Sequence, residues 1–207
     1  MHPNKAYRGP SQDENLSFAR NRGFGTLCLN HDDGPLLSHV PFVLSTDGSY
    51  AEAHLVRSNP ILKQLGDPKR AVIAVSGGDS YVSPDWYGLE NQVPTWNYVA
   101  VHLRGTLHQL PAEELRGVLE GLSDQFEQRL LPKKVWTLDK VADDAYRKLS
   151  MQIVPIRLDI DDVQGTWKLA QPKPPQAIAD AADGIAGVTA DGLGLGADRI
   201  VRLMRDL

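Results

Sequence analysis

Between Val93 and Gly105 the chain reads Val-Pro-Thr-Trp-Asn-Tyr-Val-Ala-Val-His-Leu-Arg-Gly, and few folds accommodate that order. From Tyr98 onward, Val99, Val101 and Leu103 alternate with Tyr98, Ala100, His102 and Arg104. A period of two residues predicts a strand with one apolar face. A second proline-punctuated stretch, Tyr81-Val-Ser-Pro-Asp-Trp-Tyr87, precedes it, so two tryptophans, three tyrosines and two prolines fall within the eighteen positions 81–98. The prolines supply rigid turns. Thr95, Trp96 and Asn97 stand where the strand begins. They offer a hydroxyl, a π face and an amide that both donates and accepts. A flat heteroaromatic ring with carbonyls and ring nitrogens needs all three kinds of contact. An aromatic-rich core strand behind a proline turn accounts for the same residues, and side-chain chemistry alone leaves both readings open.

Short strands dominate the rest of the chain. Ser11-Gln-Asp-Glu14 is a capping box that starts a helix running to about Arg22, with Gly23 as its stop. Strands follow at Phe24–Asn30 and Leu36–Leu44, joined by the turn His31-Asp-Asp-Gly34. Asp47-Gly48 turns the chain into a strand at Tyr50–His54. Ser58 or Asn59 then caps a helix with Pro60 near its first position and Gly66 at its end. Arg70–Ser76 is the next expected strand, ended by Gly77-Gly78-Asp79, and the long strand covers Thr95–Leu110. Pro111-Ala-Glu-Glu114 opens a helix with an apolar stripe of Leu115, Leu119, Leu122 and Phe126, and Asp139–Met151 is a second helix. Strands at Ile153–Ile160 and Thr166–Ala170 close the series. The pattern predicts a mainly β, antiparallel barrel with helical additions rather than a βαβ stack.

Two regions are expected: a domain over residues 1–171, and a tail over 172–207 consisting of the stiff linker Lys173-Pro174-Pro175 followed by helical segments, the last from Ala197. The run Gly192-Leu-Gly-Leu-Gly196 echoes a dinucleotide fingerprint, but too little chain follows it for a βαβ unit. Arg199, Arg202 and Arg205 recur on the last helix, where a solvated or acid-paired face is the simpler reading than a DNA contact.

A net charge of −4 over 207 residues disfavours nonspecific nucleic-acid binding, which needs clustered Lys and Arg. The single cysteine, Cys28, excludes an internal disulfide, fits a reducing compartment, and reads as a small buried core residue of the run Gly25–Leu29. The six histidines and one cysteine show no zinc-like spacing, so no structural metal is expected. No apolar stretch is long enough to span a membrane, and the N-terminus lacks a signal-peptide core. These features lead to the expectation of a soluble, cytoplasmic protein.

The motifs resemble, in order, those of the PaiB-like family of FMN-binding negative transcriptional regulators. The likeness rests on Met1-His2-Pro3, Ser38-His39-Val40-Pro41-Phe42, Ala53-His54-Leu55-Val56-Arg57-Ser58-Asn59-Pro60, Tyr81–Tyr87 and Val93–Tyr98, and covers about residues 1–170. It departs at Lys168-Leu169-Ala170-Gln171-Pro172-Lys173, where the family reads Lys-Leu-Ser-Gln-Asn-Arg. The resemblance implies an FMN-binding split β-barrel, a homodimer, and a flavin held in the dimer crevice with each site built from both chains.

It also directs attention to particular residues. FMN ends in a phosphate dianion, and Arg57-Ser58-Asn59-Pro60 offers a guanidinium, a hydroxyl, an amide and a helix N-terminus at one place. In split-barrel flavoproteins the phosphate sits at a comparable strand-to-helix junction. Capping by Ser58 and pairing of Arg57 with a surface carboxylate is the structural alternative. By the same resemblance His54, Ser38, His39 and Phe42 support the ribityl chain or ring, Lys168 neutralises charge on the flavin, and Thr95, Trp96 and Asn97 face the partner's FMN. Three functions follow as expectations: a flavin-binding regulator, with direct DNA binding doubtful for want of a DNA-reading element; an FMN-dependent oxidoreductase, of the flavin reductase or pyridoxamine phosphate oxidase type, with His102, His39 and Tyr98 as candidate acid–base groups; and a haem protein with His39, His54, His102 or His108 as axial ligand.

Overall fold

The computed structural model describes residues 1–188 and 193–207. Strands β1 (Phe24–Leu29), β2 (Leu36–Pro41), β3 (Val43–Leu44), β4 (Tyr50–Val56), β5 (Lys69–Val82), β6 (Thr95–Gln109) and β7 (Ile153–Lys168) form a sheet in the order β2-β1-β5-β6-β7-β4-β3. The pairs whose registers are defined, β1 with β2 and β5, and β4 with β3 and β7, are all antiparallel. Helices are α1 (Gln12–Arg22), α2 (Pro60–Gln64), α3 (Leu115–Glu127), α4 (Asp143–Ser150), α5 (Pro175–Ala186) and α6 (Ala197–Arg205). The fold is mainly antiparallel β with helical additions, of the split-barrel class. No helix among the described residues is long and apolar enough to cross a membrane.

Contacts group the chain into two compact units. The first comprises Met1–Asn15, Ser76–Val101 and Gln164–Leu207; the second comprises Leu16–Val75 and His102–Val163.

In the second unit, β1 and β2 form the expected hairpin, with Gly34 at φ 103° closing the turn on the carbonyl of His31 at 3.0 Å. Gly23, at φ 58°, ends α1 in the left-handed conformation that an L side chain resists. The expected strand over Leu36–Leu44 is broken at Phe42, which is fully buried and donates its N–H to the carbonyl of Gly23 at 3.0 Å. Val118 and Leu122 of α3 form a core cluster with Leu110, with Val43 and Phe126 at its margin. Val118, not Leu119, therefore takes the inner position. The helix expected over Asp139–Met151 is confined to α4, preceded by a 3-10 turn at Leu138–Lys140.

Two strands expected near the end are one. The strand runs on through Asp159, Asp161 and Asp162, and each of these acids is matched by a base, from β6 for Asp159 and Asp162 and from β5 for Asp161. Asp161 takes a two-pronged bond from Arg70, Asp159 lies 2.9 Å from His108, and Asp162 lies 3.8 Å from Arg104. Charge pairing across strands removes the repulsion that would otherwise end β7. Cys28 is also placed differently from expectation. It is half-buried, on the opposite face of β1 from the buried Leu27 and Leu29, and burial pushes its thiol pKa up.

In the first unit the capping box forms as read. Glu14 donates its N–H to Ser11 Oγ at 3.2 Å, and the Glu14 carboxylate accepts the Ser11 N–H at 2.7 Å. β5, by contrast, does not stop at Gly77-Gly78-Asp79. A Cβ on Gly78 would lie 2.5 Å from the carbonyl oxygen of Gly196, so glycine here permits close approach of another backbone. Asp79 and Tyr81 donate N–H groups to Leu195 and Leu193 at 2.9 and 2.8 Å, and Asp79 Oδ1 accepts the N–H of Leu195 at 2.9 Å. Residues 193–195 thus dock alongside β5. Gly192, the first glycine of the 192–196 run, lies outside the described residues. α5 buries Ala177, Ile178, Ala181, Ala182 and Ile185, and α6, which packs on it, buries Ile200, Val201 and Met204. Arg202 and Arg205 pair with Asp198 and Asp183, at 3.0 and 2.6 Å.

Candidate functional site

The strand period at the start of β6 decides what faces inward. Thr95 is half-buried, Trp96 is 44% exposed and Asn97 is fully buried. Trp96 meets Tyr81 edge-on, with ring centroids 6.2 Å apart. Asn97 donates from Nδ2 to the sulfur of Met204 at 3.3 Å, while its Oδ1 is buried and has no partner. Lys168, at the end of β7, donates from Nζ to Thr95 Oγ1, and burial lowers its pKa.

Just beyond, Ala170 adopts φ 72° and its carbonyl accepts the N–H of Lys173 at 2.9 Å. This left-handed turn folds Lys173 back, so that its ammonium donates to Gln92 Oε1 and lies 4.1 Å from the ring centroid of Tyr87. Tyr87 is 2% exposed, its hydroxyl is buried without a partner, and burial pushes its pKa up to about 12. Thr95, Asn97, Lys168, Lys173, Tyr87 and His2 line one cavity of about 410 Å³, and no Asp or Glu is among its lining residues.

A different group gathers in the second unit. Asn59, not Ser58, caps α2, accepting the N–H of Ile61 at 2.9 Å and donating from Nδ2 to Ser38 Oγ at 2.6 Å. Ser58 is exposed. Arg57 is exposed, and its Nε and Nη2 donate to the carbonyls of Met151 and Ile153 at 2.8 and 3.3 Å, where a surface carboxylate was the structural alternative. His39 is exposed and stacks near Phe24, with centroids 6.4 Å apart. His54 is half-buried, its Nδ1 has no partner, and burial lowers its pKa. It lines a separate cavity of about 270 Å³ with Phe126, Glu127 and Trp136.

The structure therefore brings Thr95, Asn97 and Lys168 together in one unit, and Ser38 and Asn59, which is adjacent in sequence to Arg57 and Ser58, in the other. Sequence reasoning missed Tyr87 and Lys173 as cavity residues. The signal for Lys173 was present, since the family motif carries an arginine at that position.

Residues 1–162 match the family described as "Putative FMN-binding domain". The chain belongs to this FMN-binding family. The likeness read from the motifs at Ser38, Ala53, Tyr81 and Val93 is thereby confirmed, and FMN is the cofactor that membership brings. The chain is 28% identical over 173 residues to protease synthase and sporulation protein PAI 2 of Bacillus subtilis, the match covering 83% of this chain and 82% of that protein. The fold is similar to that of an FAD and haem binding protein from Mycobacterium smegmatis, with a TM-score of 0.58 at 20% identity over 94% of this chain and 95% of that one. It is also similar to protein Rv2991 of Mycobacterium tuberculosis, with a TM-score of 0.58 at 15% identity over 84% and 94% of the two chains.

The cavity residues suit an FMN-binding protein. A phosphate needs cations and N–H or O–H donors; ribityl hydroxyls and a ring N–H need acceptors. Lys168, Lys173 and the Tyr87 hydroxyl supply the former, and the orphaned Asn97 Oδ1 supplies the latter. A buried polar atom left without a partner costs about 1–3 kcal/mol, which a bound ligand would recover.

Proposed function

We propose that this chain is a cytoplasmic FMN-binding protein of the negative transcriptional regulator type, working as a homodimer with flavin held in the dimer crevice. The observation that carries the reading is the cavity of about 410 Å³ at the start of β6, where Asn97 Oδ1 is buried and unpartnered beside Lys168 and Thr95. Its size lies within the range of small-ligand sites, roughly 300–1,000 Å³. Bound there, FMN would supply hydride and electron chemistry. The chain's own part is to orient the flavin through Thr95, Asn97 and Lys168 and to shield it from water.

Trp96, a large aromatic side chain left 44% exposed at the same strand end, supports a face that a second copy covers. Relatedness to a sporulation protein supports a regulatory role. The acid pairing of Arg202 and Arg205 and the overall net charge argue for regulation without direct operator contact.

Light scattering of the purified protein with and without FMN tests the dimer, and a gel-shift assay on DNA upstream of its own gene tests the regulator. A dimer that forms no specific DNA complex with or without FMN is the expected outcome. A monomer in both conditions would remove the dimer-crevice assignment, and a specific complex would show direct repression.

A further inference from the structure

The C-terminal segment docks on the residues that form the cavity at the start of β6. It lies beyond residue 162, where the family match ends, and all the groups concerned belong to the first compact unit. α5 packs on the 3-10 turn Pro84–Tyr87 so closely that a Cβ on Gly184 would lie 2.5 Å from Trp86 Cγ. Residues 193–195 bond to β5 through Asp79 and Tyr81. α6 then brings Met204 to Asn97, whose Nδ2 donates to the sulfur at 3.3 Å. Both aromatic motifs are thus held from the C-terminal side.

Asn97 lines the cavity and yet is 0% exposed. Among the described residues its Oδ1 has no partner, and it is closed to solvent. An atom that a water molecule cannot touch is closed to a flavin as well. A ligand therefore reaches the amide only when a side chain over it gives way. Met204 is the contact best placed to yield. It sits in the last turn of a nine-residue helix, and helix ends open more readily than packed cores. A thioether is also a weak acceptor, so Asn97 loses little in exchanging it for a stronger partner.

Resting on the reading that FMN occupies this cavity, we propose that α6 is an autoinhibitory plug: Met204 and the flavin compete for Asn97, so FMN binding loosens the docking of α6 and residues 193–195. Such coupling is reciprocal. By whatever factor the docked segment weakens FMN binding, FMN weakens the docking. The change reaches the surface through Arg205 of α6, which bonds to Asp183 of α5 at 2.6 Å. Movement of α6 away from α5 breaks that pair and bares a guanidinium, a ligand-dependent difference that a regulator can pass to a partner.

The experiment is hydrogen–deuterium exchange by mass spectrometry on the full chain, freed of flavin and then saturated with FMN, beside FMN titrations followed by quenching of flavin fluorescence. With FMN bound, the amides of α6 and residues 193–195 are expected to exchange faster while those of β6 do not. Two variants, checked for folding by circular dichroism, read the coupling from the other side. Asp79→Ala removes the acceptor of the Leu195 N–H at a position outside the cavity lining, and Met204→Ala removes the plug itself. Each is expected to bind FMN about fivefold more tightly than the wild type, at the lower end of allosteric coupling. Should Met204→Ala fail to fold, Asp79→Ala carries the affinity test. Unchanged or slower exchange of α6 with FMN bound, or variant affinities at or below that of the wild type, would overturn the plug and leave FMN in the cavity. A wild type that binds no FMN would overturn the cavity reading and the plug with it.

Discussion

Asn97 donates to Met204 at 3.3 Å on one side and leaves Oδ1 buried and unpartnered on the other. A thioether is a weak acceptor, so an amide fully removed from water is poorly repaid in the protein alone. Replacing it with a similarly shaped apolar side chain removes that deficit. Asn97→Leu is therefore expected to leave unfolding free energy within about 1 kcal/mol of the wild type, or to raise it, while FMN binding is lost. Urea unfolding and flavin titration on the same preparation check both halves. A large destabilisation with flavin binding retained would make Asn97 structural.

The turn at Asp47 should set part of the acid stability. Its carboxylate accepts the Ser49 N–H at 3.0 Å and the Ser49 and Ser45 hydroxyls at 2.7 and 2.8 Å, which hold its pKa at about 2 against an ordinary 3.8. A pKa lowered by folding stabilises the fold above the ordinary value and ceases to do so as pH falls through the lowered one. Between pH 3.8 and about 2, the wild type should lose melting temperature more steeply than Asp47→Asn. Parallel curves would mean the turn does not hold the charged form.

Gly78→Ala should weaken the docking of residues 193–195 on β5, because the added Cβ would sit 2.5 Å from the Gly196 carbonyl oxygen. Backbone cannot move aside as a side-chain tip can, and overpacking of this kind costs about 1–3 kcal/mol. Chemical denaturation gives the loss, and limited proteolysis should show earlier cleavage within the C-terminal residues. An unchanged midpoint and digestion pattern would contradict the close approach.

Ala170→Gly tests the turn that delivers Lys173. Alanine at φ 72° bears a strain that glycine does not. Offset by the greater freedom of glycine when unfolded, the change is expected to stabilise by about 0.5 kcal/mol, roughly 1–2 °C in melting temperature. Calorimetry measures it, and a fall in melting temperature would place Ala170 in an unstrained conformation.

Elements set by local chemistry were legible in the chain. Ser11 and Glu14 sit at capping-box spacing, and β6 alternates from Thr95 to Gln109 as read. Where local signals met a distant partner, they misled. Gly77 and Gly78 look like a strand stop until residues 193–196 arrive beside them, and the strands expected at Ile153–Ile160 and Thr166–Ala170 prove to be one, with Asp159, Asp161 and Asp162 paired to His108, Arg70 and Arg104. The cavity divides in the same way. Thr95, Asn97 and Lys168 belong to motifs. Tyr87 and Lys173 stand in motifs too, but their meeting depends on segments about eighty positions apart, as the bond from Lys173 to Gln92 records. Cys28 read as core because its neighbours are apolar, but strand alternation turns it to the half-buried face.

The most direct test of the cavity as the flavin site is the visible spectrum of wild type and Asn97→Leu after incubation with FMN and gel filtration. A wild type carrying a two-band flavin spectrum at about one FMN per chain, beside a folded and colourless variant, is the predicted result. A colourless wild type, or a variant as yellow as the wild type, would contradict it.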